Sequence, residues 1–363
     1  MALSPNYGWA EPDNSSLVKN GAQDIRALGD AIDTSLWNVG FGQAGKNKII
    51  NGDMNIWQRG ISFASAANGS YSADRFKYAF DGSGTATISQ QAFTAGAAPV
   101  AGYESQYFLR HLVTSAGSTT FTQIFQPIED VRTFAGQTVT FSFWAKADSA
   151  RSSFIYAEQN FGSGGSATVQ YLSMGSASLT TSWQRFSFTV ALSSISGKTI
   201  GTNSQLNFYI RCGTALNAST DIWGVQLEYG SKATPFETAT GTFGGELALC
   251  QRYYYRVPGE FETTVAPSGS SICVLIPLPV TMRIVPSAST NVSNASYSTS
   301  PSTNQWGLVQ AQISWSTKSG TVTVTLVSTQ TTGTLQLGAA TFSPVPNSIK
   351  IVPDRILEFS AEL

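Results

Sequence analysis

Alternation of apolar and polar residues with a period of two is the feature that most limits how this 363-residue chain can fold. Between 137 and 147, apolar side chains occupy every second position from Val139 to Ala145, and the positions between them are mainly Thr and Ser. The same pattern returns over 184–191 and 205–212. Such segments are typical of antiparallel strands with one buried face. Gly- and Ser-rich connections separate them, without the helical stretches that parallel β-α-β units require.

Changes in this pattern divide the chain into four parts. We place an amino-terminal segment with a helix at 1–45, and an antiparallel β-sandwich of jelly-roll type at 46–240. A junction follows at 241–257, where the residues can form a short helix or a bridging strand. A second, smaller β-sandwich occupies 258–363. The sequence therefore predicts a mainly β protein.

Strands are also predicted in the last part. Alternation is clear over 271–280, 309–315 and 322–326. Proline has no backbone N–H to donate to a neighbouring strand. Because Pro277 and Pro279 fall within the first of these segments, we expect that segment to be an edge strand.

A helix is predicted near the amino terminus. The side chains of 13–16 offer N-cap acceptors, and an apolar residue then recurs every seven positions. A helix of roughly 20 residues placed ahead of any domain has little intramolecular core to cover and is marginal by itself in water. We therefore expect it to pack against copies of itself; the alternative is an amphipathic helix that packs on its own domain. The expected oligomerisation seam is Val18, Ala22, Ile25, Leu28, Ile32 and Leu36.

Charge and composition argue against several classes of partner. Lys plus Arg number 21 and Asp plus Glu number 22, so the formal net charge is −1, and no basic stripe is present for phosphate neutralisation. We therefore expect no nucleic-acid partner. We expect no membrane insertion either, because no uninterrupted apolar run of about 18 residues occurs. The first nine residues lack a signal-peptide pattern, which is consistent with assembly in a cytoplasm and release by lysis.

Residues that could support catalysis are sparse. One histidine, His111, lies in a predicted strand and is interpreted as packed. A Ser nucleophile motif, a phosphate-binding loop and a dinucleotide fingerprint are all missing from the sequence. Glycan hydrolysis needs only two carboxylates, which a fold can assemble from distant positions. We expect no enzyme activity and no cofactor, and a hydrolase remains the less favoured alternative.

Two sets of residues are candidates for ligand contact. Asp53, in an Asn-Gly-Asp turn, could share a calcium ion with Asp221 or Glu228, although capping and surface hydrogen bonds are the favoured interpretation. Large rings that are not needed for a core can stack on sugars. The candidate glycan contacts are Trp57, Trp306 and Tyr297.

An ordered series of motifs resembles tail fibre and related virion structural proteins of tailed bacteriophages. The series begins with PNYGWAEPDNSSLVKNGAQDIRALGDAID at 5–33 and NKIINGDMNIWQRG at 47–60. It continues with YSADRFKY at 71–78 and IWGVQLEYGSKATPFE at 222–237. The most particular motif is ELALCQRYYYR at 246–256.

The resemblance implies a non-enzymatic, usually trimeric virion appendage whose jelly roll is similar to carbohydrate-binding modules and meets host-surface glycans. The implied partners are further copies of the chain, other virion proteins at the amino-terminal segment, and a host glycan. The implied location is the virion. Two alternatives remain open: a purely architectural protein of the head, collar or baseplate, and, less favoured, a polysaccharide depolymerase.

Overall fold

The computed structural model describes residues 2–3, 9–11, 20–39, 45–100, 103–256, 265–268, 271–284, 287–290, 309–313, 321–328 and 357–363. Within these ranges the helices are α1 (Gly21–Val39) and α2 (Phe243–Gln251). The strands, in chain order, are β1 (Ala2–Leu3), β2 (Ala10–Glu11), β3 (Ser62–Phe63), β4 (Lys77–Phe80), β5 (Thr85–Ala92), β6 (Tyr107–Ser115), β7 (Thr122–Ile128), β8 (Thr138–Ala147), β9 (Arg151–Asn160), β10 (Val169–Leu179), β11 (Gln184–Ala191), β12 (Gln205–Cys212), β13 (Ser219–Tyr229), β14 (Tyr254–Arg256), β15 (Val265–Ser268), β16 (Ser271–Pro277), β17 (Ser287–Thr290), β18 (Val309–Ile313), β19 (Thr321–Ser328) and β20 (Leu357–Ser360).

Two antiparallel sheets build the body of the protein. One has five strands in the order β10-β9-β12-β7-β4, and the other has six in the order β11-β8-β13-β6-β5-β3. Their apolar faces form one core, in which the rings of Phe141 and Phe208 stack across the sheets at 5.1 Å. The predicted mainly β class and the antiparallel β-sandwich of jelly-roll type are confirmed.

The alternating segments form the predicted strands. In β8 the apolar positions from Val139 to Ala145 are buried in the core, and Phe186 of β11 pairs with Phe143. The predicted bounds of β11 and β12 coincide with those observed. Every second residue of these strands faces the hydrophobic core, which explains why period two identifies them.

The predicted amino-terminal helix is present as α1. Ile25 is 66% exposed, Ala22 is also exposed, and Leu28 and Ile32 are partly buried. The cap candidates at 13–16 and Val18 lie outside the described residues, as does the side chain of Leu36. Association of this helix with other copies stays a prediction. No helix in the described ranges is long and apolar enough to cross a bilayer.

The junction contains both of the structures that its sequence left open. Helix α2 begins after Thr242, whose side chain accepts a hydrogen bond from the Gly245 N–H at 3.2 Å, and strand β14 follows the helix. Glu246 is buried and accepts hydrogen bonds from the backbone N–H groups of Asn51 and Thr240 at 2.8 and 2.7 Å. This carboxylate therefore anchors α2 to the sandwich.

The last part of the chain, together with β14 of the junction, forms two further sheets, ordered β14-β20-β17 and β15-β16-β19-β18. The prediction that the segment from 271 is an edge strand is wrong, because β16 pairs with β15 on one side and β19 on the other. Pro277 is tolerated since it is the last residue of β16, where only β19 is paired, and Pro279 lies beyond the strand. The positions of the domain boundaries stay predictions.

Candidate functional site

The central strand of the five-stranded sheet carries a row of polar and aromatic side chains on the face turned away from the core. The residues between them lie in the core, and successive side chains of a strand alternate between faces. We call these four residues the outer row: Gln205, Asn207, Tyr209 and Arg211. Their position on the middle strand places them along the centre of the sheet's outer face.

Aromatic rings flank the outer row from both neighbouring strands. Tyr209 pairs with Tyr156 of β9 on one side and with Phe125 of β7 on the other. The rings of Phe125 and Tyr209 are 4.7 Å apart, and the guanidinium of Arg211 lies 5.3 Å from the Tyr156 ring centre. Phe154, also on β9, is 51% exposed. A band of rings therefore runs across three strands of the outer face, with Tyr209 buried at its centre and Phe125, Tyr156 and Phe154 partly exposed.

A buried carboxylate organises the polar part of this face. Glu158 accepts hydrogen bonds from the Asn207 amide at 3.0 Å and from the Tyr209 hydroxyl. The Asn207 amide nitrogen is thereby fixed on the carboxylate, and its oxygen, Oδ1, has no hydrogen-bond partner in the described structure. The Oε1 atoms of Gln123 and Gln205 are likewise buried and unpartnered there.

These oxygens define what the face can accept. A buried acceptor without a partner costs about 1–3 kcal/mol, which a ligand that donates a hydrogen bond would recover. Hydroxyl groups are such donors. Rings beside unpartnered amide oxygens suit a ligand that has an apolar face and hydroxyls at its edges.

Trp57, which the sequence predicted as a glycan contact, does not lie on this face. It is 9% exposed, packs in the sandwich core, and donates its indole N–H to the Met54 carbonyl at 2.7 Å. This position offers no ring face to a sugar. Trp306 and Tyr297 lie outside the described residues. The outer row was missed because the alternation in 205–212 was interpreted for its apolar positions only.

The calcium candidates Asp53, Asp221 and Glu228 each form hydrogen bonds or ion pairs with other side chains. Asp221 forms a two-bond ion pair with Arg110, at 2.7 Å for each contact, and Glu228 accepts from the Gln226 amide at 2.6 Å. In the described part of the chain, no group of three or more His, Cys, Asp or Glu side chains could hold a metal ion. Asp221 and Glu228 are thus each compensated by partners of their own, and a calcium ion shared with Asp53 stays a prediction.

Asp53 also has partners of its own. Its Oδ2 accepts from the Asn55 amide at 2.6 Å and from the Tyr103 hydroxyl at 3.1 Å. Burial raises the pKa of Asp53 above its ordinary value, and these hydrogen bonds oppose the shift.

His111 is packed, as expected. It is 0% exposed in β6, and its ring centre lies 5.6 Å from that of Tyr78. Burial lowers its pKa to about 3, so the side chain is neutral at physiological pH.

Comparison with solved structures finds partial likeness. A tailspike protein 4 domain of bacteriophage CBA120 is 13% identical with a TM-score of 0.32; the alignment covers 46% of this chain and 21% of that one. A xylan-binding CBM22 domain of Paenibacillus barcinonensis is 17% identical, with a TM-score of 0.30 and coverages of 42% and 91%. An amino-terminal cellulose-binding domain of a Cellulomonas fimi glucanase is 16% identical, with a TM-score of 0.27 and coverages of 36% and 84%. No protein-family model matches the chain, and no curated protein matches it significantly.

Proposed function

We propose that this protein is a non-enzymatic adhesin of a bacteriophage virion that binds host-surface glycans through the outer face of its five-stranded sheet. The observation that carries the proposal is the outer row on β12, where unpartnered amide oxygens stand beside the band of rings. The sequence resemblance to tail fibre proteins supports the virion assignment.

Sugar binding follows from the chemistry of this face. The partly exposed rings of Tyr156, Phe125 and Phe154 offer apolar surfaces to the faces of pyranose rings. Gln205 and Asn207 accept hydrogen bonds from hydroxyls. Because Glu158 is occupied by Asn207 and Tyr209, it acts by holding these two side chains in place rather than by proton transfer.

Oligomerisation would strengthen weak binding. Helix α1 presents Ile25 to solvent, and its heptad spacing fits association with two further copies. Three binding faces on one axis raise the overall avidity through effective concentration, without any new type of contact. The segment before α1 would attach the trimer to other virion proteins.

A glycan array with the full chain tests the proposal. Phe154→Ala and Tyr156→Ala should each lower binding, and together they should lower it about tenfold, since each removes ring stacking. The matched control is Tyr229→Ala, since Tyr229 is 67% exposed but lies on the six-stranded sheet. Binding unaffected by the double substitution would contradict the proposal, and release of reducing ends from a bound glycan would favour the depolymerase alternative.

A further inference from the structure

A cavity of about 240 Å³ lies where the sandwich meets the segment after α2. Its walls come from Lys48 and Ile50, from the end of β7 with Glu129, and from Arg75 and Tyr253. Pockets for drug-sized ligands measure roughly 300–1,000 Å³. This cavity therefore has room for one small ring rather than for an oligosaccharide.

Glu129 supplies an acceptor at the cavity. Its Oε2 accepts hydrogen bonds from the Arg252 guanidinium at 3.0 Å and from the Tyr253 hydroxyl at 2.9 Å. Among the described residues no donor reaches the other oxygen, Oε1. The carboxylate is thus fixed in orientation by two partners while one oxygen stays available.

Arg75 lines the cavity with a buried guanidinium group. Arg75 is 1% exposed, and its two terminal nitrogens donate hydrogen bonds to the Glu362 carboxylate and to the Pro127 carbonyl. Its Nε is buried and has no hydrogen-bond partner in the described structure. An unpartnered buried donor favours a ligand that can accept a hydrogen bond.

The remaining walls are mixed in character. Ile50 and Pro127 contribute apolar surface, and the Lys48 ammonium group, which donates to the Gly45 carbonyl at 2.8 Å, lies on an exposed side chain at the rim. A hydroxyl both donates and accepts, so neighbouring hydroxyls on one ring can satisfy a carboxylate oxygen and a cationic N–H together. We propose that this cavity binds a single neutral hexose, as a second site separate from the outer face of the sheet.

Saturation-transfer NMR with the full chain and millimolar glucose, galactose or mannose tests this site. At least one of these sugars should receive saturation. Glu129→Gln keeps an acceptor for Arg252 and Tyr253 but loses the charged oxygen, and it should weaken binding about tenfold. Thr133→Trp, which fills the cavity from its partly exposed wall, should abolish the signal.

Two controls separate this site from the proposed function. Lys198→Met, at an exposed lysine that does not line the cavity, should leave the hexose signal unchanged, whereas Lys48→Met should reduce it. The Phe154→Ala and Tyr156→Ala variants should show lower binding on the glycan array but keep the hexose signal. A hexose signal absent for all three sugars, or retained in full by Thr133→Trp, would overturn the second site and leave the adhesin proposal standing.

Discussion

Arg59 and Glu362, which are 303 residues apart in the sequence, form an ion pair with 2.9 Å between nitrogen and oxygen. The two side chains are 13% and 7% exposed. Arg75 donates to the same carboxylate, and the Arg59 guanidinium lies 3.6 Å from the Tyr254 ring centre. The segment 357–363 is therefore fixed to the sandwich by one carboxylate that compensates two guanidinium groups.

Replacing that carboxylate should destabilise the protein. Glu362→Gln removes the ion-pair partner of Arg75 and leaves Arg59 with Asp74 alone, at 3.9 Å. Breaking a buried pair by removal of one partner costs about 3–5 kcal/mol. Urea unfolding should show this as a lower free energy of unfolding. Glu104→Gln, at an exposed glutamate of the sandwich, should change it by no more than about 0.5 kcal/mol. Equal unfolding midpoints for the two variants would contradict the prediction.

His111 should make the protein less stable in acid. Its pKa is about 3 in the fold because burial disfavours the charged ring, whereas an unfolded histidine titrates near 6.5. Between these values the unfolded chain binds the extra proton, so the free energy of unfolding falls as pH decreases from about 6.5 towards 3, by up to about 1.4 kcal/mol per pH unit. His111→Leu should remove this contribution.

Three buried carboxyl groups act in the opposite direction, so the difference between the two proteins is the quantity to measure. Burial raises the pKa values of Asp53, Asp74 and Glu246, so these groups bind protons more tightly in the folded protein than in the unfolded chain. Their contribution to the free energy of unfolding therefore decreases as pH rises. Chemical unfolding of wild type and His111→Leu from pH 4 to 7 gives that difference. Parallel pH profiles for the two proteins would rule out the role given to His111.

Gly224 should not tolerate a side chain. It has a φ of +63°, and a Cβ atom there would lie 2.7 Å from the Trp144 ring. Gly224→Ala adds a steric clash to left-handed strain and should cost about 2–4 kcal/mol in urea unfolding. Gly230→Ala is the matched control, because Gly230 also has a positive φ, +102°, but has nothing within 4 Å of its Cβ position; it should cost about 1 kcal/mol. Similar losses in both variants would show that the clash with Trp144 is relieved.

Local patterns predicted the strands and not their neighbours. Alternation placed β8, β11 and β12 because the direction in which successive side chains point, towards the core or away from it, is a local property. Which strand lies beside another depends on pairings between residues far apart in the sequence. Asp221, for example, forms an ion pair with Arg110, 111 residues away. A search for metal ligands by residue type cannot detect such a pair. For the same reason Pro277 was assigned to an edge, although pairing stops on one side of the strand before the proline is reached.

The residues of the candidate site could not be predicted from local patterns for the same reason. Tyr156, Tyr209 and Phe125 lie in three separate segments, and only the register of β9, β12 and β7 places them in one band. Each ring taken alone resembles a core residue. Trp57 was selected for its size and neighbours in sequence, whereas its burial is decided by the sandwich around it. Residue type and spacing therefore led to the prediction of a glycan ligand but not to the residues of the proposed site.

Helix α1 gives the last prediction. Ile25 is 66% exposed, which is costly for an apolar side chain of this size unless another surface covers it. Ile25→Asp would place a charge in the seam of each copy, so light scattering coupled to size exclusion should show a trimer for wild type and a monomer for the variant. Arg26→Gln, at the neighbouring exposed position, should remain trimeric. A wild-type monomer, or a trimer that survives Ile25→Asp, would mean that α1 does not associate through this seam, and the avidity expected of three binding faces would then need another source.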